Sequence, residues 1–172
     1  MFRFVLFYSL NILIFFFLFS YQKVFDLQLF YTSFINPIVT YFINMIGIEA
    51  VSVGVDILLP SATLKVIFGC NGLEAILIFI AAMVAFRAKV NLKLKYLLEG
   101  ILLIATINIF RLVILAYVIE YHSYYFSFMH DYVTQDMMIF LAILIFLIFT
   151  QKMKTEISLF IKNNLKSKES KK

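Results

Sequence analysis

The chain has 172 residues, 63% of them hydrophobic, against roughly 45–50% in soluble domains, which excludes an ordinary soluble protein and points to an integral membrane protein. At about 100–200 residues per domain the length leaves room for one domain, residues 1–172. The net charge of +5 does not point to nucleic acid, because the basic residues fall between and after apolar runs rather than along one face, and so read as topology signals.

Arg3 precedes an almost unbroken run of Phe, Leu and Ile from Phe4 to Phe19. With no small-residue cleavage site behind it, this run is expected to be an uncleaved first spanning helix rather than a signal peptide. The stretch from Asp26 to Glu49 is apolar but holds Asn36, Pro37 and Asn44, and it repeats Phe30, Phe34 and Tyr41 at helical spacing. That pattern suits an interfacial or partly inserted helix. Its full crossing would require an outside N-terminus. Next comes VSVGVDILLPSATLKVIFGC, two short β-branched runs punctuated by Gly54 and by Pro60 and Ser61, which predicts a small β-hairpin outside the membrane; an ordinary surface loop is the plainer alternative.

GCNGLEA, residues 69–75, follows. It contains Cys70, the single cysteine of the chain, so there is no internal disulfide and no cysteine zinc cage. The thiol is a buried filler, an intermolecular link or a reactive group. At a helix start, free N–H groups and the positive end of the helix dipole would lower its pKa. Gly69 and Gly72 would leave room for a substrate backbone, and Asn71 is placed to cap the helix. Glu74 reads either as a partner for Arg111 or another basic group, or as a helix-start acid favoured by the dipole.

Three further runs, Leu73 to Phe86, Tyr96 to Ile119 and Met137 to Thr150, complete an expected set of about four transmembrane helices in an all-α polytopic fold. Arg87, Lys89, Lys93 and Lys95 lie between the first two of these runs, and a basic tail at residues 151–172 follows the last. Both basic segments are expected in the cytoplasm, the tail as a solvated end touching anionic lipid at most. Cys70 and the connection from Glu120 to Asp136 then face outside.

Ionisable groups within a span cost about 2.5 kcal/mol or more and are functional candidates by default. Arg111, in INIFRLVIL, lies one turn beyond Asn108 on the same helix face. A rise of 1.5 Å per residue from Tyr96 puts it roughly 22 Å up, in the outer part of the bilayer. Cys70 and His130 fall at the same depth on two other helices. His122, in a tyrosine-rich connection, competes with His130 for an acid/base role; His130 is favoured because it immediately precedes the last span. Taken singly, each group has a plain reading as a small buried hydrophobe, a snorkelling arginine or a surface histidine. A metal site from Cys70, His122, His130 and Asp131 or Asp136 lacks any recognised ligand spacing, so neither metal nor other cofactor is expected.

GCNGLEA, NIFR and MHDY, in that order, resemble the Cys-[SN]-Gly motif, the N-x-x-R motif and the following histidine of the exosortase and archaeosortase family of membrane-embedded cysteine transpeptidases. The resemblance covers roughly Val51 to Phe146, and its wording is most like the short exosortases paired with IPTLxxWG-type C-terminal signals. It implies Cys70 as nucleophile, Arg111 as stabiliser of the oxyanion or thiolate and His130 as acid/base, supported by Asn71, Gly72, Glu74 and Asn108. It also implies secreted protein substrates ending in a motif, a transmembrane helix and a basic end. An acceptor nucleophile completes the transfer, in the bacterial cytoplasmic (inner) membrane, with the site toward the outer face. The competing expectation is a noncatalytic scaffold or transporter subunit in which Glu74 and Arg111 form a structural pair.

Overall fold

The computed structural model describes residues 22–66 and 70–169; the expected first helix at Phe4 to Phe19, and Gly69, lie outside the described residues. The chain runs α1 (Gln22–Met45), β1 (Val51–Val53), β2 (Asp56–Leu58), β3 (Thr63–Lys65), α2 (Leu73–Ala85), α3 (Val90–Tyr121), the short α4 (Ser123–Phe128), a π-helical turn (Met129–Thr134) and α5 (Gln135–Glu169). The protein is thus mostly helical with one small sheet. Among the described residues, two helical runs, Val90–Tyr121 and Ser123–Leu159, are long and apolar enough to cross a membrane. α2 has 13 residues, about 20 Å at 1.5 Å per residue, and falls short of a hydrocarbon core about 30 Å thick.

The segment read as interfacial or partly inserted is one continuous helix, α1, with Pro37 inside it. Proline removes a backbone donor and crowds the carbonyl four residues earlier. Packing holds the helix together across this position: Gln28, Thr32, Asn36 and Thr40 recur every fourth residue as a buried polar stripe, flanked by buried Ile35, Val39 and Ile43. Phe30, Phe34 and Tyr41 occupy the exposed side. The helix ends on Gly47, at φ 86°, where Gly47 N–H donates to Asn44 O and Ile48 N–H to Ile43 O. Those two bonds make a Schellman cap, in which the left-handed residue is usually glycine. Asn44 then clips the chain into β1, its Nδ2 donating to Ala50 O at 3.2 Å and its Oδ1 accepting Ala50 N–H at 2.8 Å.

The expected hairpin is a three-stranded antiparallel meander in the order β1-β2-β3. The correction has a local cause. The segment carries two turn signals, Gly54 and the Pro60–Ser61 pair, and each one reverses the chain. The inner face of the sheet buries Ile57, Leu64 and Val66 against Leu112, Leu115 and Ala116 of α3, together with the apolar side of α1.

A second core joins α2, α3 and α5 through Ile76, Phe79, Ile104, Met138, Ile145 and Phe149. Gly100 lies directly against Phe79, where a Cβ would collide with the ring. At the basic end the Tyr96 hydroxyl donates to Glu156 Oε1, and Lys95 Nζ lies 3.9 Å from the same carboxylate oxygen. Both long helices outrun the apolar segments expected of them: α3 begins at Val90, within the basic segment, and α5 carries the basic tail as helix to Glu169. Lysine and glutamate are good helix formers, so the helices continue where the apolar pattern stops.

Gly100→Ala should lower stability by about 1–3 kcal/mol, the usual cost of overpacking. The same change in a Phe79→Ala background should cost measurably less, read by thermal unfolding of the detergent-solubilised protein.

Candidate active site

Cys70 sits in the turn just ahead of α2 and is buried. Two side chains of α3, Asn108 and Arg111, bond its loop. Asn108 Nδ2 donates to Asn71 O at 2.7 Å, and Asn108 also fills the space beside Gly72, where a Cβ would come within 2.5 Å of its Cγ. Gly72 is the N-cap of α2 with φ 76°, a left-handed conformation that a side chain would strain. The glycine expected to leave room for a substrate backbone therefore makes room for Asn108. Asn71 is fully buried; its Oδ1 accepts Leu73 N–H at 3.1 Å and its Nδ2 donates to Thr32 Oγ1 at 3.2 Å. It thus satisfies one free donor of the helix start, as expected of it, and ties the loop to α1.

Arg111, one turn beyond Asn108, is 2% exposed. Its Nη1 donates to Cys70 O at 3.3 Å and to Asn108 Oδ1 at 3.5 Å. Its Nε and Nη2 are buried and meet no hydrogen-bond acceptor among the described residues. No ion pair joins it to Glu74 among the described residues, although the two charges lie close enough to influence each other. The structural Glu74–Arg111 pair that the sequence allowed is not formed.

His130 reaches the thiol from the π-helical turn: its Nε2 is in hydrogen-bond contact with Cys70 Sγ. Its Nδ1 lies 2.6 Å from Asp131 Oδ1. With Nδ1–H donating to the carboxylate, the lone pair of Nε2 is turned toward the thiol. The ring of Phe126 stacks on the imidazole at 5.5 Å between centroids, and Thr134 Oγ1 donates to His130 O at 3.2 Å. The competing His122 lies at the end of α3, exposed and 6.1 Å from the ring of Tyr117, so the structure does not bring it to Cys70.

Cys70, Arg111 and His130 thus converge, with Asn71, Gly72 and Asn108 building the loop beneath them. Asp131 and Thr32 are partners that sequence reasoning missed. Asp131 entered it only among metal ligands, although its adjacency to His130 was there to be read. In a regular α-helix, neighbours in sequence do not face each other, and the π-helical segment was not foreseen.

One electrostatic expectation is reversed. Burial pushes the Cys70 thiol above its ordinary value; the Arg111 guanidinium pulls it back down, and the carboxylates of Asp131 and Glu74 push it further up. Burial therefore works against the thiolate that a helix start favours. The arrangement can form one by passing the sulfur's proton to His130, with Arg111 holding the negative charge.

A family model described as transmembrane exosortase matches residues 2–149 of the chain. No curated protein and no solved structure matches it.

Because Arg111 lowers the thiol's pKa, Arg111→Gln should move the pH profile of Cys70 modification by a methanethiosulfonate reagent, which leaves a mixed disulfide on the sulfur and releases methanesulfinate, to higher pH. At neutral pH the rate should fall about tenfold for each pH unit of that shift, following the thiolate fraction; an unchanged profile would remove Arg111 from the thiol's electrostatics.

Proposed function

The chain belongs to the transmembrane exosortase family, and on that premise we propose that it is a membrane-embedded cysteine transpeptidase cleaving the C-terminal sorting signal of secreted proteins. The observation that carries this reading is the contact of Cys70 Sγ with His130 Nε2, whose other ring nitrogen is held by Asp131. A thiol, a base and a group orienting that base are the parts that nucleophilic acyl transfer requires.

In the proposed reaction His130 Nε2 takes the proton of Cys70, and the sulfur attacks the carbonyl carbon of the scissile peptide bond. Negative charge moves to the carbonyl oxygen. Arg111 is a pre-placed cation beside Cys70, with two guanidinium nitrogens not engaged by acceptors among the described residues. Pre-organised donors of this kind, aimed where charge develops in a site poor in water, are strongly stabilising. The carbon–nitrogen bond then breaks, His130 returns its proton to the leaving amine, and a thioester remains on Cys70. An acceptor nucleophile attacks the thioester and releases the product, with His130 again as base.

The same reading places the protein in the bacterial inner membrane as a multi-pass protein of about four spans, including the run Phe4 to Phe19, with the Cys70 end of α2 outward and the basic segments in the cytoplasm. Its substrates carry a short motif, an apolar helix and a basic end, and the GCNGLEA wording favours an IPTLxxWG-type motif. The outward placement of Cys70 leaves the motif at the outer surface while the apolar tail lies beside the spans.

With a coexpressed secreted protein bearing such a tail, Cys70→Ala and Arg111→Ala should each reach the membrane in normal amounts and abolish tail removal. His130→Ala should slow it by about 10²–10⁴-fold, the usual contribution of general acid–base catalysis, and Asp131→Asn should slow it less. Normal processing by Cys70→Ala would sink the proposal and leave a noncatalytic scaffold as the better reading.

A further inference from the structure

β3 is an edge strand whose free side can be worked out from the ladder. Leu59 N–H donates to Ala62 O at 2.8 Å and Val66 N–H to Val55 O at 2.9 Å. The register pairs Leu58 with Thr63, Ile57 with Leu64 and Asp56 with Lys65. Antiparallel ladders alternate between hydrogen-bonded and non-hydrogen-bonded pairs, so Ile57 and Leu64 exchange bonds, whereas Thr63 and Lys65 do not bond to β2. The N–H and C=O of Thr63 and Lys65 therefore point away from β2, on the side where the sheet has no further strand among the described residues. Both side chains are exposed, and Leu64 between them is buried.

The position and direction of this edge matter. Ser61, at the start of the β2–β3 turn, is docked on α3, its N–H donating to Glu120 Oε2 at 3.2 Å. Leu64 and Val66 are buried in the cluster that contains Leu112 and Leu115. β3 therefore lies on the stretch of chain that leads from Ser61, at the Glu120 end of α3, to Cys70, at the level of Arg111, a step of about 13 Å along α3 at 1.5 Å per residue.

We propose that the free edge of β3 receives the extended motif segment of the tail-bearing substrate as a fourth strand, parallel to β3, and delivers its scissile bond to Cys70. The inference rests on the transpeptidase reading above, which sets the orientation. A substrate chain passing from its folded outer part into the membrane runs from the Glu120 level toward Cys70, as β3 does. Main-chain bonds to an open sheet edge are sequence-tolerant, and the outward groups of Thr63 and Lys65 supply them. Alternate side chains of the added strand then face the same way as Thr63 and Lys65.

The test exploits the ladder. Lys65→Pro removes an N–H that β2 does not use, a place where an edge strand tolerates proline, while Lys65→Ala keeps that N–H and removes only the side chain. Lys65→Pro should leave thermal stability and the rate of Cys70 modification unchanged yet slow tail removal about tenfold, the upper end of one backbone hydrogen bond; Lys65→Ala, which keeps the N–H, should recover most of that loss. A second arm uses Thr63→Cys in a Cys70→Ser background, oxidised together with the same tail-bearing protein carrying single cysteines along its motif. The disulfide should form at the motif position beside Thr63 and fail at the positions on either side of it, whose side chains alternate to the other face of the strand. Crosslinks without that alternation, crosslinks between two copies of the enzyme instead of to the substrate, or processing by Lys65→Pro at the wild-type rate would each overturn strand addition. If the wild type itself removes no tail, the transpeptidase reading fails first, and the two failures are thereby told apart.

Discussion

Asn108 is the side chain on which the rest of the site depends. One amide holds the Asn71 carbonyl, accepts from Arg111 and fills the gap beside Gly72. A buried amide left unpaired costs about 1–3 kcal/mol, and Asn108 is fully buried. The loop that carries Cys70 is thus bound to α3 by a bond that is expensive to break. The position of the thiol relative to Arg111 follows from it, because the same helix turn presents both Asn108 and Arg111.

Around this bond the protein spends polar groups where apolar ones would be cheaper. The stripe Gln28, Thr32, Asn36 and Thr40 buries four polar residues on α1. Two of them have evident work: Thr32 accepts from Asn71, and Asn36 donates to Gly54 O at 3.0 Å. α1 is therefore the common support of the Cys70 loop and the sheet. Arg111 is the opposite case, a buried cation whose nearest acceptors are a carbonyl and an amide and whose remaining donors lie unengaged among the described residues. A structural arginine would be expected to fill its donors with a carboxylate. Under the proposed mechanism the missing anion is the one that forms during the reaction, and locally inconsistent residues of this kind are expected at functional sites.

Much of this was legible in the residues. The apolar runs marked the helices because their length and composition reflect the solvent they meet. The order GCNGLEA, NIFR and MHDY brought forward Cys70, Arg111 and His130, and helical spacing alone put Asn108 on the face of Arg111. The misses share a cause: each concerned a relation between elements, or backbone geometry that no residue type announces. Gly72 looked like room for a ligand because a glycine shows only that space is needed, never what fills it. Glu74 read either as a partner of Arg111 or another basic group or as a helix-start acid, and the choice between them depends on how α2 is rotated against α3; it lies in the first turn of α2 and, among the described residues, forms no ion pair with Arg111. The rise in the thiol's pKa went unseen because the depth of burial belongs to the packed structure.

By itself, then, the sequence determined the membrane class, the helical periods, the turn positions at Gly54 and Pro60–Ser61, and the few polar residues too costly to lie idle among apolar ones. Those properties are local, written in composition and spacing along one segment. Only the tertiary structure decided that His130 rather than His122 meets Cys70, that Asp131 holds the far side of that imidazole, and that the outward N–H and C=O groups of β3 face no further strand among the described residues. These depend on contacts between residues as far apart in the chain as Cys70 and His130, where the packing of whole helices, and no property of either neighbourhood, sets the distance.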